Sequence, residues 1–195
     1  MSRKSTDTRA RILDCTWKLL ESGNKKIRMS DIAKASGISR QALYLHFPTR
    51  AELLVATTRH IDSVKDVDAR LAASSAAPTG RERLAAFIRA WGGYIPEIHG
   101  ISVALRAMRA TDTEAAAAWE DRMQAVRHGC AAAVRALAAD KRLTPDLNEE
   151  AATDLLWTLL SVETWEQLVR DCGWSQADYE RQITRLAEAA LLATV

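Results

Sequence analysis

Four prolines and eight glycines punctuate this chain of 195 residues, and most of them fall between stretches whose apolar side chains repeat at helical spacing. Nothing in the sequence alternates with the period of a strand, so the breakers read as boundaries between helices and the fold class is all-α. Ile12, Cys15, Thr16, Leu19 and Leu20 share one helical face, with Arg9, Arg11, Lys18 and Glu21 between them, and Gly23 ends the pattern. A first helix is expected over 7–22. After a basic loop of Asn24, Lys25 and Lys26, a second is expected over 30–36 up to Gly37, and a third from Ser39 to Phe47.

Helices of about seven residues are too short to persist in isolation, so both must pack on the first. Residues 30–47 have the spacing for this. Ile32 and Ala33 face inward, Ala33 being small where two helices cross; Gly37 supplies a turn at positive φ; Ile38 and Leu43 complete a small core; Ser39 caps the third helix. Two short helices joined by a glycine turn and packed on a third form a helix-turn-helix domain.

Charge separates this head from the rest. Residues 1–50 hold 11 basic and 4 acidic side chains against 16 and 21 in residues 51–195, although the whole chain carries only +2. A basic segment of this density attracts a polyanion through phosphate contacts and counterion release, and the acidic remainder repels one. The alternative is a solvated basic face with no partner.

With the Pro-Thr-Arg-Ala-Glu-Leu-Leu that follows, residues 9–54 resemble the head of the TetR family of transcriptional regulators, in the Ile32-Ala33 pair, the Gly37-Ile38-Ser39 turn and the run Leu43-Tyr44-Leu45-His46-Phe47. The resemblance implies a helix-turn-helix DNA-binding domain over 1–48 and a helical ligand-binding and dimerisation domain over 49–195, with about nine helices in all. It implies that the recognition helix, Ser39 to His46, lies in the major groove, that Tyr44 and His46 contact phosphates, and that Thr49 and Arg50 meet the DNA backbone. Arg40 and Gln41, exposed on the first turn, are the candidates for reading base edges, Arg on guanine and Gln on adenine. Tyr44 as a core aromatic and His46 as an ordinary surface residue are the alternatives; Phe47 is assigned to packing. Two positions depart from the family pattern. Arg28 stands where Thr or Ser usually caps the second helix, which moves the expected start to Ser30 and leaves Arg28 as a charge near phosphate; Asn24 stands at a usually aromatic position.

Beyond Pro48, Thr49-Arg50-Ala51-Glu52 reads as a capping box opening a long helix over 49–73, the link between the two domains. Ala72 to Gly80 reads as a loop. Further helices are expected over 81–95, 97–110, 112–139, 147–172 and 176–193, divided by Pro96, Thr111-Asp112, Thr144-Pro145 and Gly173.

A recognition helix of this length touches few base pairs, so specificity calls for two copies about 34 Å apart on a pseudo-palindromic duplex. The resemblance implies that the last two long helices pair with their mates in a homodimer. Leu156, Leu159, Leu160, Leu168, Ile183, Leu186, Ala190 and Leu191 are the interface candidates, with one protomer's own core as the alternative. Four of the six tryptophans, Trp91, Trp119, Trp157 and Trp165, lie in the middle of the body, and Trp157, Ser161, Thr164, Trp165 and Leu168 would share one face of a continuous helix. With Trp91, Tyr94, His99, Met108, Trp119 and Met123 they could line a cavity for an apolar or aromatic small molecule; ordinary core packing is the alternative for each of them.

The expected function is therefore a ligand-responsive DNA-binding regulator, a repressor released from its operator by a small apolar or aromatic effector. Activation instead of repression would depend on where the operator sits. An enzyme is disfavoured: there is no Gly-rich phosphate loop, no G-x-S-x-G or H-E-x-x-H, and no histidine follows a Glu by three residues. No cofactor, metal or catalytic residue is expected. Cys15, Cys130 and Cys172 are too scattered for a disulfide framework or a thiolate site, which suits a cytosolic protein. The longest strongly apolar stretch, Leu155 to Val162, is too short to span a bilayer.

Overall fold

The computed structural model describes residues 3–22 and 27–193. The chain is helical throughout: α1 (Arg3–Glu21), α2 (Met29–Ser36), α3 (Arg40–His46), α4 (Arg50–Val64), α5 (Val67–Ser75), α6 (Gly80–Arg109), α7 (Thr113–Ala139), α8 (Glu149–Leu159), α9 (Val162–Trp165) and α10 (Gln176–Leu191). Helix α9 runs on as a π-helical turn, Glu166–Asp171. Among the described residues the extended pairing is a single bridge between Leu143 and Leu192. Helix α1 begins before the expected residue 7, and the expected stop and basic loop at Gly23, Asn24, Lys25 and Lys26 lie outside the described residues.

Two compact units result. The first takes the chain up to Asp66 together with His99–Met123, and the second takes Val67–Ile98 and Gln124–Val195. The expected boundary at residue 48 thus falls inside the first unit. In that unit α1 packs on α2 and α4, and α2 on α3. Ile12, Leu20, Ile32, Leu43, Phe47, Leu53 and Leu54 are buried there. In the second unit α10 packs on α8 and the π-helical turn, around Leu84, Ile88, Val134, Leu137, Leu156, Leu160, Tyr179 and Ile183. Helices come close where the sequence is smallest: a Cβ on Gly80 would lie 2.6 Å from the Ala136 backbone.

The expected helices are divided or joined differently at three places, each for a physical reason. The long helix over 49–73 is broken between α4 and α5, where Asp66 takes φ 53; an Asp tolerates this left-handed geometry far better than most residues, so the turn forms without glycine or proline. Pro96 does not divide two helices but sits inside α6, which is continuous from Gly80 to Arg109. A proline there removes the N–H that the carbonyl four residues earlier, Gly92, would accept, and the Gln176 side-chain amide donates to that carbonyl at 2.9 Å instead. The expected helix over 147–172 is interrupted at Ser161, which turns extended and accepts the Thr164 N–H at 3.0 Å to cap α9. The single face expected for Trp157, Ser161, Thr164, Trp165 and Leu168 therefore does not exist. The Ser161 hydroxyl donates to the Thr164 hydroxyl at 2.8 Å, and the Thr164 hydroxyl donates in turn to the Thr158 carbonyl at 3.0 Å.

Candidate nucleic-acid interface

The turn between α2 and α3 follows from one glycine. Gly37 sits at φ 67, the Ile38 N–H reaches back to the Ala33 carbonyl at 3.1 Å, and the Gly37 N–H to Lys34 at 3.3 Å. This pair of bonds is a Schellman closure, which uses the last carbonyls of α2 and turns the chain sharply. Ser39 then accepts the Ala42 N–H at 3.1 Å and opens α3. With Leu43 and Phe47 buried, the opposite side of α3 presents Arg40, Gln41, Tyr44 and Leu45. Tyr44 is 39% exposed, so it is not a core aromatic. The Arg40 guanidinium lies over its ring at 5.6 Å and donates to its hydroxyl at 3.4 Å.

Helix α2 starts at Met29, one residue before the expected Ser30. Arg28 occupies the cap position but has no acceptor to offer; the cap is completed by Asp31, whose carboxylate accepts the Arg28 N–H at 3.1 Å. The Arg28 and Ser30 side chains remain exposed. Thr49 caps α4 as expected, accepting the Glu52 N–H at 3.1 Å. His46 is half-buried, and its carbonyl accepts from Arg9, whose guanidinium stacks 4.1 Å above the Phe47 ring. Arg9 thus braces the end of α3 from α1, a role its place on the polar side of α1 gave no hint of.

Arg50 is the exception among these residues. Its guanidinium is turned inward, 12% exposed, with Nε donating to the Ile27 carbonyl at 2.7 Å and Nη1 paired with Asp112 at 2.8 Å and Glu114 at 3.2 Å. It does not stand free to meet a DNA backbone as the sequence suggested. Its partners lie 62 and 64 residues away, a distance no local pattern reveals. Burial alone would push the Asp112 carboxyl up. Hydrogen bonds from Arg50 and the Ala115 N–H, with the Arg50 charge and the Glu114 N–H, outweigh it and hold the group below its ordinary value.

An open groove of about 640 Å³ brings most of these side chains together: Arg28 and Ser30 at the start of α2, Arg40 and Tyr44 on α3, Thr49 and Arg50 at the start of α4, with Asp112 and Glu114 on another wall. Ser39, Gln41 and His46 are not part of its lining. The residue that sequence reasoning missed on α3 is Leu45, 83% exposed. The signal was present: an apolar residue next to Tyr44 and one turn after Gln41 shares their outward face.

The effector candidates fall in both units. His99, Met108, Trp119 and Met123 belong to the first, where Met108, Trp119 and Met123 are buried and Arg109 stacks on the Trp119 ring at 5.9 Å. Trp91, Tyr94, Trp157, Ser161 and Trp165 belong to the second. There Trp91 and Tyr94 meet edge to face at 6.0 Å. The indole N–H of Trp91 donates to the Leu160 carbonyl at 2.8 Å, and that of Trp165 to Gln176 at 2.9 Å. Among the described residues no group of His, Cys, Asp and Glu is placed to hold a metal ion, and no helix is long and apolar enough to cross a membrane.

Four of the interface candidates are corrected. Leu156, Leu160 and Leu191 are 0% exposed and Ile183 is 1% exposed within one protomer, so they are core residues of the second unit and offer no surface to a partner. Of the others named for that role, Leu186 is 50% exposed and Leu168 and Ala190 are half-buried.

Residues 12–57 match the family of bacterial regulatory proteins, tetR family. No curated protein matches the chain. Among solved structures it is similar to the transcriptional regulator FadR from Bacillus subtilis in complex with stearoyl-CoA, with a TM-score of 0.74 at 13% identity over 92% of this chain and 97% of that one. It is also similar to NalD, the secondary repressor of the MexAB-OprM multidrug efflux pump in Pseudomonas aeruginosa (TM-score 0.68, 20% identity, 98% of each chain). A TetR transcription regulator from Haloarcula marismortui gives 0.67 at 20% identity over 96% and 99%. Identities this low speak for the fold alone, whereas the match over residues 12–57 speaks for the head. The chain thus carries a head that matches the tetR family over residues 12–57, within a fold similar from end to end to these transcriptional regulators.

Proposed function

We propose that this chain is a TetR-family transcriptional regulator, a homodimeric repressor that holds a pseudo-palindromic operator through α3 and leaves it when a small apolar or aromatic molecule binds in the body. The observation that carries the reading is the outward face of α3, where Arg40, Gln41, Tyr44 and Leu45 stand together on a braced, capped helix. Arg40 and Gln41 are the groups for base edges and Leu45 for a thymine methyl; Tyr44, Arg28, Ser30 and Thr49 are the phosphate ligands along the groove. Residues 1–48 then act as the DNA-binding domain and 49–195 as the effector and dimer body. The effector reading draws on the Trp91–Tyr94 ring pair. Stearoyl-CoA in the FadR structure is a precedent for a ligand with a long apolar chain within this fold. Release is a population shift, which requires the effector to favour the DNA-free geometry by several kcal/mol.

Fluorescence anisotropy on DNA flanking the chain's own gene, across a salt series, tests this reading. Saturation at two protomers per site, steep salt dependence, and a loss of about tenfold to a hundredfold in Arg40→Ala are expected. Unchanged binding in that variant would remove α3 from the contact.

A further inference from the structure

We propose that Arg50 is a positioning residue and not a DNA ligand: with Asp112 and Glu114 it forms an ionic clamp that fixes the starts of α2, α4 and α7 and thereby the shape of the DNA-facing groove. The inference rests on the DNA-binding reading above and concerns one residue that the family resemblance would place on the phosphate backbone.

Every polar contact of Arg50 points away from that role. Its Nε is committed to the Ile27 carbonyl just before α2, and its Nη1 to the two carboxylates at the start of α7. Its Nη2 is buried without a partner. A phosphate could reach this guanidinium only after those contacts break. The carboxylates are themselves bridged: Asp112 accepts the N–H groups of Glu114 and Ala115, each at 3.2 Å, and Glu114 accepts the Ala51 N–H at 3.3 Å. Three segments distant in sequence therefore meet in one network around a single cation; removing Arg50 leaves two carboxylates without their cation, and removing both carboxylates leaves a partly buried cation unpaired. The clamp also has an electrostatic consequence. Asp112 and Glu114 line the same groove as Arg28, Arg40 and Thr49, and two uncompensated carboxylates there would repel a phosphate backbone. Pairing with Arg50 makes them compatible with an anionic partner.

The test uses the full-length protein and a duplex that the wild type selects from a random-sequence pool, titrated by anisotropy from low to physiological salt. If Arg50 positions, Arg50→Ala weakens binding by about tenfold or more, and the triple variant with Asp112→Asn and Glu114→Gln, which leaves no carboxylate uncompensated, keeps the wild-type salt slope because no phosphate contact is lost. Asp112→Asn/Glu114→Gln weakens binding by a similar factor, the triple variant loses no more than Arg50→Ala, and Arg50→Lys recovers part of the loss. If Arg50 is a phosphate ligand, the triple variant lowers the slope by about one, and Asp112→Asn/Glu114→Gln binds as tightly as wild type or more tightly. That pair overturns the proposal. Should Arg50→Ala fail to fold, the near-isosteric Asp112→Asn/Glu114→Gln variant decides by the direction of its change. A wild type that selects no duplex would overturn the DNA-binding reading itself, a result distinct from either behaviour of the variants.

Discussion

Across long stretches of sequence, the first unit has an inward-turned ionic tie at Arg50, whereas the inner ties of the second are neutral. In the first, Arg50 joins Asp112 and Glu114, Arg122 pairs with Asp62 at 2.8 Å with both side chains 23% exposed, and Arg59 pairs with Asp121 at 2.7 Å. In the second, the inner ties are the Trp91 indole on the Leu160 carbonyl and the chain from Trp165 through Gln176 to the Gly92 carbonyl. Three of its ion pairs are more exposed than Arg50: Arg70 with Glu97 has its arginine 35% exposed, Arg81 with Glu188 has its arginine 61% exposed and Arg127 with Asp154 its aspartate 55%, as Arg59 is 64% exposed in the first unit. Exposed pairs contribute little. The contrast teaches that acid and salt should act on the first unit's architecture, whereas shape and hydrogen-bond satisfaction should decide the second's.

The largest effect should come from overfilling the second unit. A Cβ at position 80 would stand 2.6 to 2.7 Å from three backbone atoms of Ala136 and Leu137, none of which can rotate away. Gly80→Ala should therefore cost about 3 kcal/mol by chemical denaturation, at the upper end for overpacking. A loss under half of that would mean that α6 and α7 can slide apart. Next comes the neutral network. Gln176→Leu leaves the Gly92 carbonyl and the buried Trp165 indole without their partner, and about 2 kcal/mol should be lost. The loss should be independent of salt; a salt-sensitive one would blur the contrast between the units.

Acid should act on the first unit. Because the Asp112 carboxyl is held below its ordinary 3.8, the stability it contributes is complete above that value and disappears as pH falls through its lowered folded-state value. Urea denaturation from neutral pH downwards should show wild type more stable than Asp112→Asn until the pH drops below about 4, after which the two converge. A difference that persists into stronger acid would separate the clamp from the Asp112 charge.

What the sequence made legible was the local chemistry. Gly37, Ser39 and Thr49 act on backbone groups within a few residues, so their identities suffice to place the turn and two caps, and the inward positions of Ile32, Ala33 and Leu43 follow from helical period. Most of the misread features have remote partners. Pro96 looked like a boundary because the amide that satisfies Gly92 comes from 84 residues away. Arg50 looked free to face solvent because its acids, at the start of α7, lie 62 and 64 residues away. Leu156, Leu160 and Ile183 looked like interface residues because an apolar stripe does not say whether its cover belongs to the same protomer or another. Asp66 carries no such excuse in distance; an aspartate at positive φ is allowed but too uncommon to be expected over an unbroken helix.

The smallest predicted effect concerns Leu45, and it probes the outward face of α3 where neither unit's internal ties reach. An 83% exposed leucine contributes almost nothing to the core, so Leu45→Ala should leave the melting temperature nearly unchanged. On DNA, packing this side chain against a thymine methyl would bury roughly one methyl group of apolar surface, about 0.8 kcal/mol, equivalent to about fourfold in affinity. The methyl can be removed from the other side of the contact by replacing each thymine of the selected duplex, one at a time, with deoxyuridine. At one position wild type should lose about fourfold and Leu45→Ala should lose nothing further, since the contact can be broken only once. Equal losses in both proteins at every position would show that Leu45 reads no thymine, and would leave Arg40 and Gln41 to account for base recognition on that helix.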